Sequence, residues 1–352
     1  MVYNNVHLNT HPSAEEFLDR MLELHPTRLN PGAVGKRHIH FDQVFWQIGV
    51  VSLNPQRHSI VTYQGGKMIS QSEITYDVFI SDPIPQAIAT LLPNGDHQMW
   101  SPMSSTLIYG PTEAVLIDPP ITIKQTEALA AWVESFGKNL SYIYITHGHG
   151  DHWFGTKPLT ERFPGVSVYA TEGTLEVMRQ NASDGVPGEF WTTRFPDQIP
   201  DASILAKTVP ADGFSVDGAK IVVVEVGHSD GDNSTMLHVP SIGLVVAGDV
   251  VYTNVHQYLV ESSGGGLDAW LHALDMVEAL HPTRVVSGHK DKTRDDDPSN
   301  IAATRKYLND AKGLLAANPT QLQFFSQMVK LYPERLNPSI LWLSAQVLLR
   351  DE

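Results

Sequence analysis

The stretch from Tyr144 to Gly155 reads YITHGHGDHWFG and places three histidines and one aspartate within six positions. The apolar residues SYIYI run directly into it and are typical of a buried β-strand. The cluster is therefore predicted to lie on a loop at the carboxyl end of a strand. Loops in that position commonly carry the chemistry of a protein.

The composition limits the classes of protein and of site that need to be considered. The chain has 352 residues, 42% of them hydrophobic and 18% charged, which predicts a globular protein with a large core. A formal net charge of -15 disfavours nucleic acid as a partner, because a surface that follows phosphates needs Lys and Arg. There is no cysteine, so any metal ion must be bound by histidine and carboxylate.

The sequence carries no signal for a membrane. The first residues lack a basic region followed by an apolar core, and no apolar run approaches the roughly 20 residues that span a bilayer. We therefore expect a cytoplasmic protein that acts on a small-molecule substrate and has neither membrane nor nucleic acid as a partner.

The order of apolar runs predicts three parts. Residues 1–100 contain a predicted helix over 13–24 and β-rich runs over 41–80, which indicate an N-terminal helix and β-meander. Residues 101–312 alternate strand-like and helical patterns, with helices predicted over 122–136, 171–179 and 267–280. This alternation is typical of two packed sheets with outer helices. Residues 313–352 are predicted to form a C-terminal helical tail packed on the core.

The His and Asp cluster predicts two metal ions close together. In the pattern His-x-His-x-Asp-His, His147 and His149 can point one way while Asp151 and His152 turn toward a neighbouring point. Each ion still lacks ligands, and three further candidates follow apolar, strand-like runs: His228, Asp249 and His289. Asp and His also end strands as turn or capping residues. The shared strand-end context favours the metal-ligand interpretation.

The segments THGHGDH, GHSDGDNS, AGDVVY and SGHK, in this order, resemble the binuclear metallo-β-lactamase fold hydrolases. The resemblance extends from about Ser104 to Arg294. It implies an α/β (α+β) fold, a four-layer αββα sandwich, with an N-terminal β-rich extension and C-terminal helices. It also implies that His147, His149 and His228 hold one zinc ion. The second zinc ion would be held by Asp151, His152 and His289, with Asp249 bridging the two.

Two Zn²⁺ ions per chain suit this set of ligands, because neutral imidazole and carboxylate bind zinc and leave a position open for catalysis. Iron or manganese would accept the same ligands. The expected reaction is attack of a metal-bridging hydroxide on a carbonyl carbon. Asp249 would orient the bridge, and the second zinc, bound partly by Asp151, would stabilise the expelled group.

The substrate is less well determined, because one fold supports many reactions. Tyr252 stands three residues after Asp249, the spacing at which quorum-sensing lactonases of this fold carry a tyrosine beside the metals. It could steady an oxyanion or pack under the site. We predict a hydrolase that opens a small, fairly apolar cyclic ester or amide, a lactone or lactam. Alternatives are a glyoxalase II-like thioesterase or other ester hydrolase, a one-iron dioxygenase, and a metal-binding protein without hydrolysis.

Several side chains are candidates for a substrate pocket, with the segment from Asp184 to Pro200, predicted as a long loop, as a lid. Aromatic residues also build cores, and His256 could equally support the ligands from outside the pocket. The candidates are Trp153, Phe190, Trp191, His256 and Tyr258. The sequence leaves open whether the N-terminal part and the C-terminal helices narrow the cleft or form a homodimer interface.

Overall fold

The structure is a computed structural model that describes residues 35–41, 44–54, 57–64, 67–70, 74–182, 185–210 and 213–350. The chain divides into two compact units, residues 1–73 and residues 74–352. The helix predicted over 13–24 lies outside the described residues.

The first unit contains an antiparallel four-stranded meander in the order β1-β2-β3-β4. Its strands are β1 (Gly35–Phe41), β2 (Val44–Asn54), β3 (Arg57–Gln64) and β4 (Lys67–Ser70). The third β-rich run of the sequence, EITYDVFI, does not belong to this meander. It forms β5 (Thr75–Ser81), which pairs antiparallel with β8 (Met103–Tyr109) in the second unit. The two compact units therefore divide between residues 73 and 74, and the domain bounds 1–100, 101–312 and 313–352 stay predictions.

The second unit contains a six-stranded sheet in the order β12-β11-β10-β9-β8-β5. The strands not yet given are β9 (Glu113–Ile117), β10 (Asn139–Tyr144), β11 (Ser167–Ala170) and β12 (Lys207–Thr208). These four strands pair in parallel, so that their carboxyl ends meet at one edge. A two-stranded ribbon connects β5 to β8 and is formed by β6 (Ile84–Pro85) and β7 (Met99–Trp100).

A five-stranded sheet follows, in the order β13-β14-β15-β16-β17. Its strands are β13 (Phe214–Val216), β14 (Ala219–Gly227), β15 (Ser234–Val239), β16 (Leu244–Thr253) and β17 (Arg284–Lys290). The pairings are antiparallel except that of β16 with β17, which is parallel. In both sheets, parallel strands thus have their carboxyl ends at one edge of the sheet, and the loops that follow these strands can lie close together there.

The described α-helices of the second unit are α1 (Ile123–Ser135), α2 (Thr156–Arg162), α3 (Glu172–Asn181), α4 (Glu189–Arg194), α5 (Gly266–Ala279), α6 (Ser299–Leu315), α7 (Gln321–Leu331) and α8 (Pro338–Leu348). Among them, α1, α3 and α5 begin and end near the positions predicted over 122–136, 171–179 and 267–280. Capping boxes at Thr122 and Thr320 accept the free amides that begin α1 and α7.

Helix α4 lies inside the segment from Asp184 to Pro200, which was predicted to be a long loop. An acidic residue in its first turn, Glu189, and a basic residue in its last, Arg194, both favour a helix. The helix is held by Trp191, which is buried and packs edge-to-face on Trp100. Its six residues are too few for a periodicity that sequence patterns could have revealed.

The two sheets pack face to face, with helices on both outer faces. Between the sheets, Val115 and Ile117 of β9 share a core with Leu237 of β15 and Val286 of β17. A second core joins the outer face of the first sheet to α1, α2 and α3, and a third joins the outer face of the second sheet to α5, α6, α7 and α8. The predicted four-layer αββα sandwich is confirmed. No helix in the described ranges is long and apolar enough to cross a membrane.

Candidate metal centre

The predicted ligands lie at the edge where the strands of both sheets end. The loop after β10 carries His147 and His149 and continues into a 3₁₀ turn, Gly150–His152. Tyr252 of β16 stands opposite His289 of β17 in the register of the parallel pair. The sandwich therefore brings together side chains that are up to 142 positions apart in the sequence, from His147 to His289.

One group of donors consists of Asp151, His152 and His289, whose ligand atoms all lie within 4.8 Å of one another. Asp249 adjoins this group, with Oδ2 lying 3.1 Å from Nε2 of His289. Its other oxygen, Oδ1, lies 3.4 Å from Nε2 of His152. All four side chains are buried. The structure thus assembles the whole set expected for the second ion together with the expected bridging carboxylate.

A second group consists of His147, His149 and Asp230, again within 4.8 Å. Nδ1 of His149 lies 3.0 Å from Oδ2 of Asp230, and Nε2 of His147 lies 3.9 Å from the same oxygen. The rings of His147 and His152 are 4.0 Å apart between centroids, which places the two groups side by side. The arrangement can accommodate two neighbouring cations.

His228, the expected third ligand of the first ion, is not in either group. It follows β14, and its Nδ1 lies 2.7 Å from Oδ1 of Asp232, an exposed side chain. Asp230, two residues further along the same turn, takes the place beside His149. Asp230 lies within the segment GHSDGDNS but was not among the predicted ligands, and its burial distinguishes it from Asp232, the other carboxylate of that turn.

Asp118 is a second residue that the sequence analysis missed. It follows β9 and accepts hydrogen bonds from the amide of Thr146 at 2.8 Å and from its hydroxyl at 2.6 Å. Its Oδ2 also lies 3.0 Å from Nδ1 of His152. A carboxylate on the far nitrogen fixes the orientation of a metal-binding imidazole. Asp118 follows the apolar run AVLI, just as the predicted ligands follow apolar, strand-like runs. This shared position could have revealed it.

Two other contacts hold the group of Asp151, His152 and His289 from outside. The indole N–H of Trp100 donates to Oδ2 of Asp151 at 2.8 Å, and both residues are buried. Nδ1 of His289 lies 2.9 Å from the carbonyl oxygen of Pro102. Both contacts come from the short stretch formed by the end of β7 and the residues that lead into β8, so this stretch supports the ligands directly.

Two glycines are required by the close approach of the strands. A Cβ atom at Gly288 would overlap Oδ1 of Asp249. Gly248 has a φ of 50°, and a Cβ there would lie 2.5 Å from the Thr146 hydroxyl. Both positions exclude side chains so that β16 and β17 can reach the histidine loop.

The electrostatics of the site follow from its burial. Burial, reinforced by the neighbouring imidazole of His152, holds the pKa of His147 well below its ordinary value. The ring is therefore neutral, the form that binds metals. Burial alone would raise the pKa of Asp249, but the imidazoles of His289 and His152 outweigh it and lower that pKa. Burial and the Asp249 carboxylate raise the pKa of Tyr252 well above its ordinary range.

The donors fit a pair of metal ions. Three buried atoms of these groups have no hydrogen-bond partner within the part of the chain that the structure describes: Nε2 of His147, Nε2 of His152 and Oδ1 of Asp249. Leaving a buried polar atom unsatisfied costs about 1–3 kcal/mol, which coordination of a cation would remove. Histidine and carboxylate without thiolate suit zinc, and also iron or manganese.

A cavity of about 260 Å³ opens above the donors. Asp151, Asp230, Asp249 and His289 contribute to its floor. Its walls are formed by Trp100, Ser101, Gln180, Asn181, Gly188, Phe190, Trp191, Tyr258, Glu261 and Ile340. Phe190, Trp191 and Tyr258 were among the predicted pocket residues.

Two predicted pocket residues lie elsewhere. Trp153 is fully buried in the core under the first sheet, where its indole N–H donates to the carbonyl oxygen of Gly148. His256 is buried with its Nδ1 3.0 Å from the hydroxyl of Tyr307, and burial lowers its pKa to about 3. Neither lines the cavity, because both side chains turn from their loops into the apolar interior.

Tyr252 lies beside the donors in the cavity wall. Its hydroxyl donates to Oδ2 of Asp249 at 2.6 Å and lies 3.4 Å from Oδ2 of Asp230. The residue is thus buried beside the donors, and its hydroxyl is engaged by a carboxylate; a hydrogen bond to a substrate oxyanion stays a prediction.

Comparison with known proteins agrees with this geometry. The family model described as the metallo-beta-lactamase superfamily matches residues 99–289, more than half of the chain. The metallo-beta-lactamase type 2 of Bacteroides fragilis is 24% identical over 230 residues, which cover 62% of this chain and 82% of that protein. A hydroxyacylglutathione hydrolase of Francisella tularensis is 36% identical over 67 residues, 19% of this chain and 25% of that protein.

Among solved structures, a metallo-beta-lactamase from Pontibacter korlensis aligns with a TM-score of 0.45 at 17% identity. The alignment covers 78% of this chain and 99% of that chain. The match of the family model is the finding that decides the assignment. The chain belongs to the metallo-β-lactamase superfamily.

Proposed function

We propose that the protein is a binuclear zinc hydrolase that opens a small, fairly apolar cyclic ester or amide. One observation carries the proposal: the buried histidine and carboxylate donors form the floor of an aromatic-walled cavity. Its volume of about 260 Å³ lies just below the usual range for ligand sites, about 300–1,000 Å³, which favours a small substrate.

The chain supplies two sets of ligands for the two ions. The first is proposed to be His147 and His149, completed by His228 or Asp230. The second is proposed to be Asp151, His152 and His289, with Asp249 as the shared ligand. When bound, such a pair supplies a nucleophile derived from water at neutral pH and a Lewis acid for a carbonyl oxygen.

The protein side chains hold protons and orient the ligands. Tyr252 stays protonated, because burial raises the pKa of its phenol. Its O–H donates a hydrogen bond to Asp249. It can therefore fix the direction of the Asp249 carboxylate. A phenol has one proton to donate, so hydrogen bonding to a substrate oxyanion would require Tyr252 to release Asp249.

The walls of the cavity favour an uncharged acyl group. Trp100, Phe190, Trp191 and Tyr258 offer aromatic surface. Within the described ranges no lysine or arginine lines this cavity, and Glu261 adds a negative charge near its rim. A neutral lactone or lactam with an apolar substituent fits these walls better than a multiply charged anion.

The second candidate is a thioesterase, because segments of the chain are similar to hydroxyacylglutathione hydrolases. The chain spans only about a quarter of the length of those relatives. Glutathione thioesters carry carboxylates, for which the cavity provides no cationic side chain among its lining residues. We therefore place the cyclic ester or amide first.

The test is an assay of the purified protein on four substrates that share an acyl chain: a lactone, a lactam, an open-chain ester and a glutathione thioester. We expect the lactone or the lactam to have a kcat/KM at least about tenfold above that of the thioester, a difference of about 1.4 kcal/mol. His152→Ala is the control and should abolish all metal-dependent turnover. A preference for the thioester would establish the second candidate. Oxygen consumption with a thiol substrate and one bound iron would overturn both.

A further inference from the structure

A second, smaller cavity of about 140 Å³ lies beside the metal site and carries a half-buried arginine. It shares Trp100 and Ile340 with the larger cavity, so one indole separates the two. Its other lining residues are Gln86, Ile88, Thr90, Gln98, Arg194, Ser339, Leu343 and Gln346. Arg194 is the only charged residue among them.

Arg194 has no carboxylate partner among the described residues. It makes no ion pair within 4.0 Å there, whereas the half-buried Arg305 is paired with Glu278 at 2.8 Å. Arg335, also half-buried and without an ion pair among the described residues, instead donates to the backbone carbonyl oxygens of Val255 and Ala303. Its Nη1 donates to the carbonyl oxygen of Phe190 at 3.0 Å, and its guanidinium lies 3.6 Å from the centre of the Phe190 ring. Stacking on a ring fixes the plane of the group without neutralising its charge.

The Nε–H of Arg194 is buried and has no acceptor within the described part of the chain. Burial also lowers the pKa of Arg194, a sign that the positive charge is partly removed from water. A desolvated cation without a counter-ion is costly, and buried charges are normally paired. The energetic balance therefore favours an external anion at this place.

The other walls specify what kind of anion fits. Gln86, Gln98 and Gln346 offer amide groups and Ser339 a hydroxyl, while Leu343 and Ile88 offer apolar surface. Some of this polar capacity is already used, because Gln86 donates to the carbonyl oxygen of Met99 and Gln98 to that of Thr90. One guanidinium with a few neutral polar groups suits a single planar carboxylate on a short aliphatic stem.

We propose that this second cavity is a binding site for a small aliphatic carboxylate, held by Arg194. The carboxylate is either the tail of a substrate that lies across Trp100 or a separate small acid. Binding of a carboxylate here does not depend on the proposed function, since the site contains none of the metal-centre donors, whereas the distinction between its two sources by turnover rests on that function.

The test is a titration of the purified protein with sodium butanoate, followed by NMR of the arginine Nε–H and backbone amide resonances at constant ionic strength. The Arg194 resonance is assigned by its loss in Arg194→Met. We expect saturable shifts at Arg194, Gln98 and Ala87, whose amide donates to the Arg194 carbonyl oxygen. Butanamide, the neutral isostere, should bind at least about tenfold more weakly, since charge-assisted hydrogen bonds are about twice as strong.

Three variants separate this site from its alternatives. Arg194→Met keeps an unbranched side chain but removes the guanidinium and its charge, and should weaken butanoate binding by about tenfold or more. Arg194→Lys keeps the charge and should retain part of the binding. Arg179→Met, which alters an exposed arginine of α3, should bind as the unaltered protein does. Equal binding by Arg194→Met and the unaltered protein would overturn the proposal, as would equal binding of butanamide. Shifts confined to the loop from His147 to His152 would also overturn the proposal.

Turnover distinguishes the two sources of the carboxylate. If the site takes a substrate tail, Arg194→Met lowers kcat/KM for a lactone bearing a terminal carboxylate about tenfold and leaves the matching carboxamide unchanged. If it takes a separate acid, the variant treats both lactones alike, and butanoate alters the turnover of an uncharged lactone only in the unaltered protein.

Discussion

Trp100→Phe should weaken metal binding without disrupting the fold, because it removes one hydrogen bond at the metal centre. The indole N–H donates to Asp151 Oδ2 at 2.8 Å in a buried setting. A hydrogen bond to a charged group contributes about 1.5–3 kcal/mol, which corresponds to about a 10- to 100-fold change in an equilibrium constant. The phenyl ring preserves much of the packing against Trp191 and Phe195.

The assay is competition for zinc with a chromophoric chelator, which gives the dissociation constant of each ion. We expect the weaker of the two zinc ions to bind about 10- to 100-fold less tightly in Trp100→Phe, in line with the usual effect of residues that orient ligands. Trp191→Phe is the matched control, since that tryptophan lines the same cavity but donates to none of the ligands in the described structure. Equal losses in the two variants, or none in Trp100→Phe, would refute the positioning role.

Four further changes test other parts of the site. Asp118→Asn replaces the carboxylate behind the His152 imidazole with a neutral amide and should weaken zinc binding about tenfold in the same chelator assay. If Asp230 is the third ligand of the first ion, Asp230→Asn should lower the zinc content more than His228→Ala does. A larger loss in His228→Ala would instead support His228, the ligand predicted from the sequence. His256→Gln should remove a pH dependence of stability. The buried imidazole stays neutral down to a pKa of about 3, whereas the unfolded chain gains a proton near its ordinary value of 6.5. The unaltered protein should therefore lose about 2 kcal/mol more than this variant between pH 7.5 and pH 5, measured by chemical denaturation; parallel losses would contradict the assignment. Phe190→Ala should raise KM for a lactone with a long apolar tail several-fold and leave kcat unchanged, which steady-state kinetics can check; an unchanged KM would show that the tail does not reach this wall.

The sequence was sufficient for the four-layer sandwich, because motif order and strand-helix alternation both point to it. It was not sufficient to assign the strand Thr75–Ser81 to its sheet. The run EITYDVFI has the same β-pattern as the strands before it, and only its pairing with β8 assigns it to the larger sheet. The alternating pattern of a strand shows that it must pair with the edge of a sheet, but it does not identify the strand with which it pairs.

The metal centre was predictable where ligands share a local motif or a strand end, as for Asp151, His152 and His289. Asp230 and Asp118 were missed because their roles depend on burial and on contacts with distant residues, which no local pattern encodes. Trp100 is a similar case, since its indole N–H reaches Asp151 across 51 positions.

The pocket residues were the least predictable group. Trp153 and Trp191 both belong to aromatic-rich segments, yet one lies in the core and the other lines the cavity. The difference arises from helix α4, whose six residues present Trp191 to the cleft. Aromatic composition alone cannot separate these two outcomes, because packing and ligand binding use the same side chains.

We propose that one chain holds two metal ions where the strands of its two sheets end. Mass spectrometry can measure the number of metal ions bound per chain. The protein is purified without added metal, and the amount of each metal is measured per chain beside His152→Ala. We predict two zinc ions per chain in the unaltered protein and a clear loss in the variant. A single iron per chain, or a zinc content that His152→Ala leaves unchanged, would contradict the account.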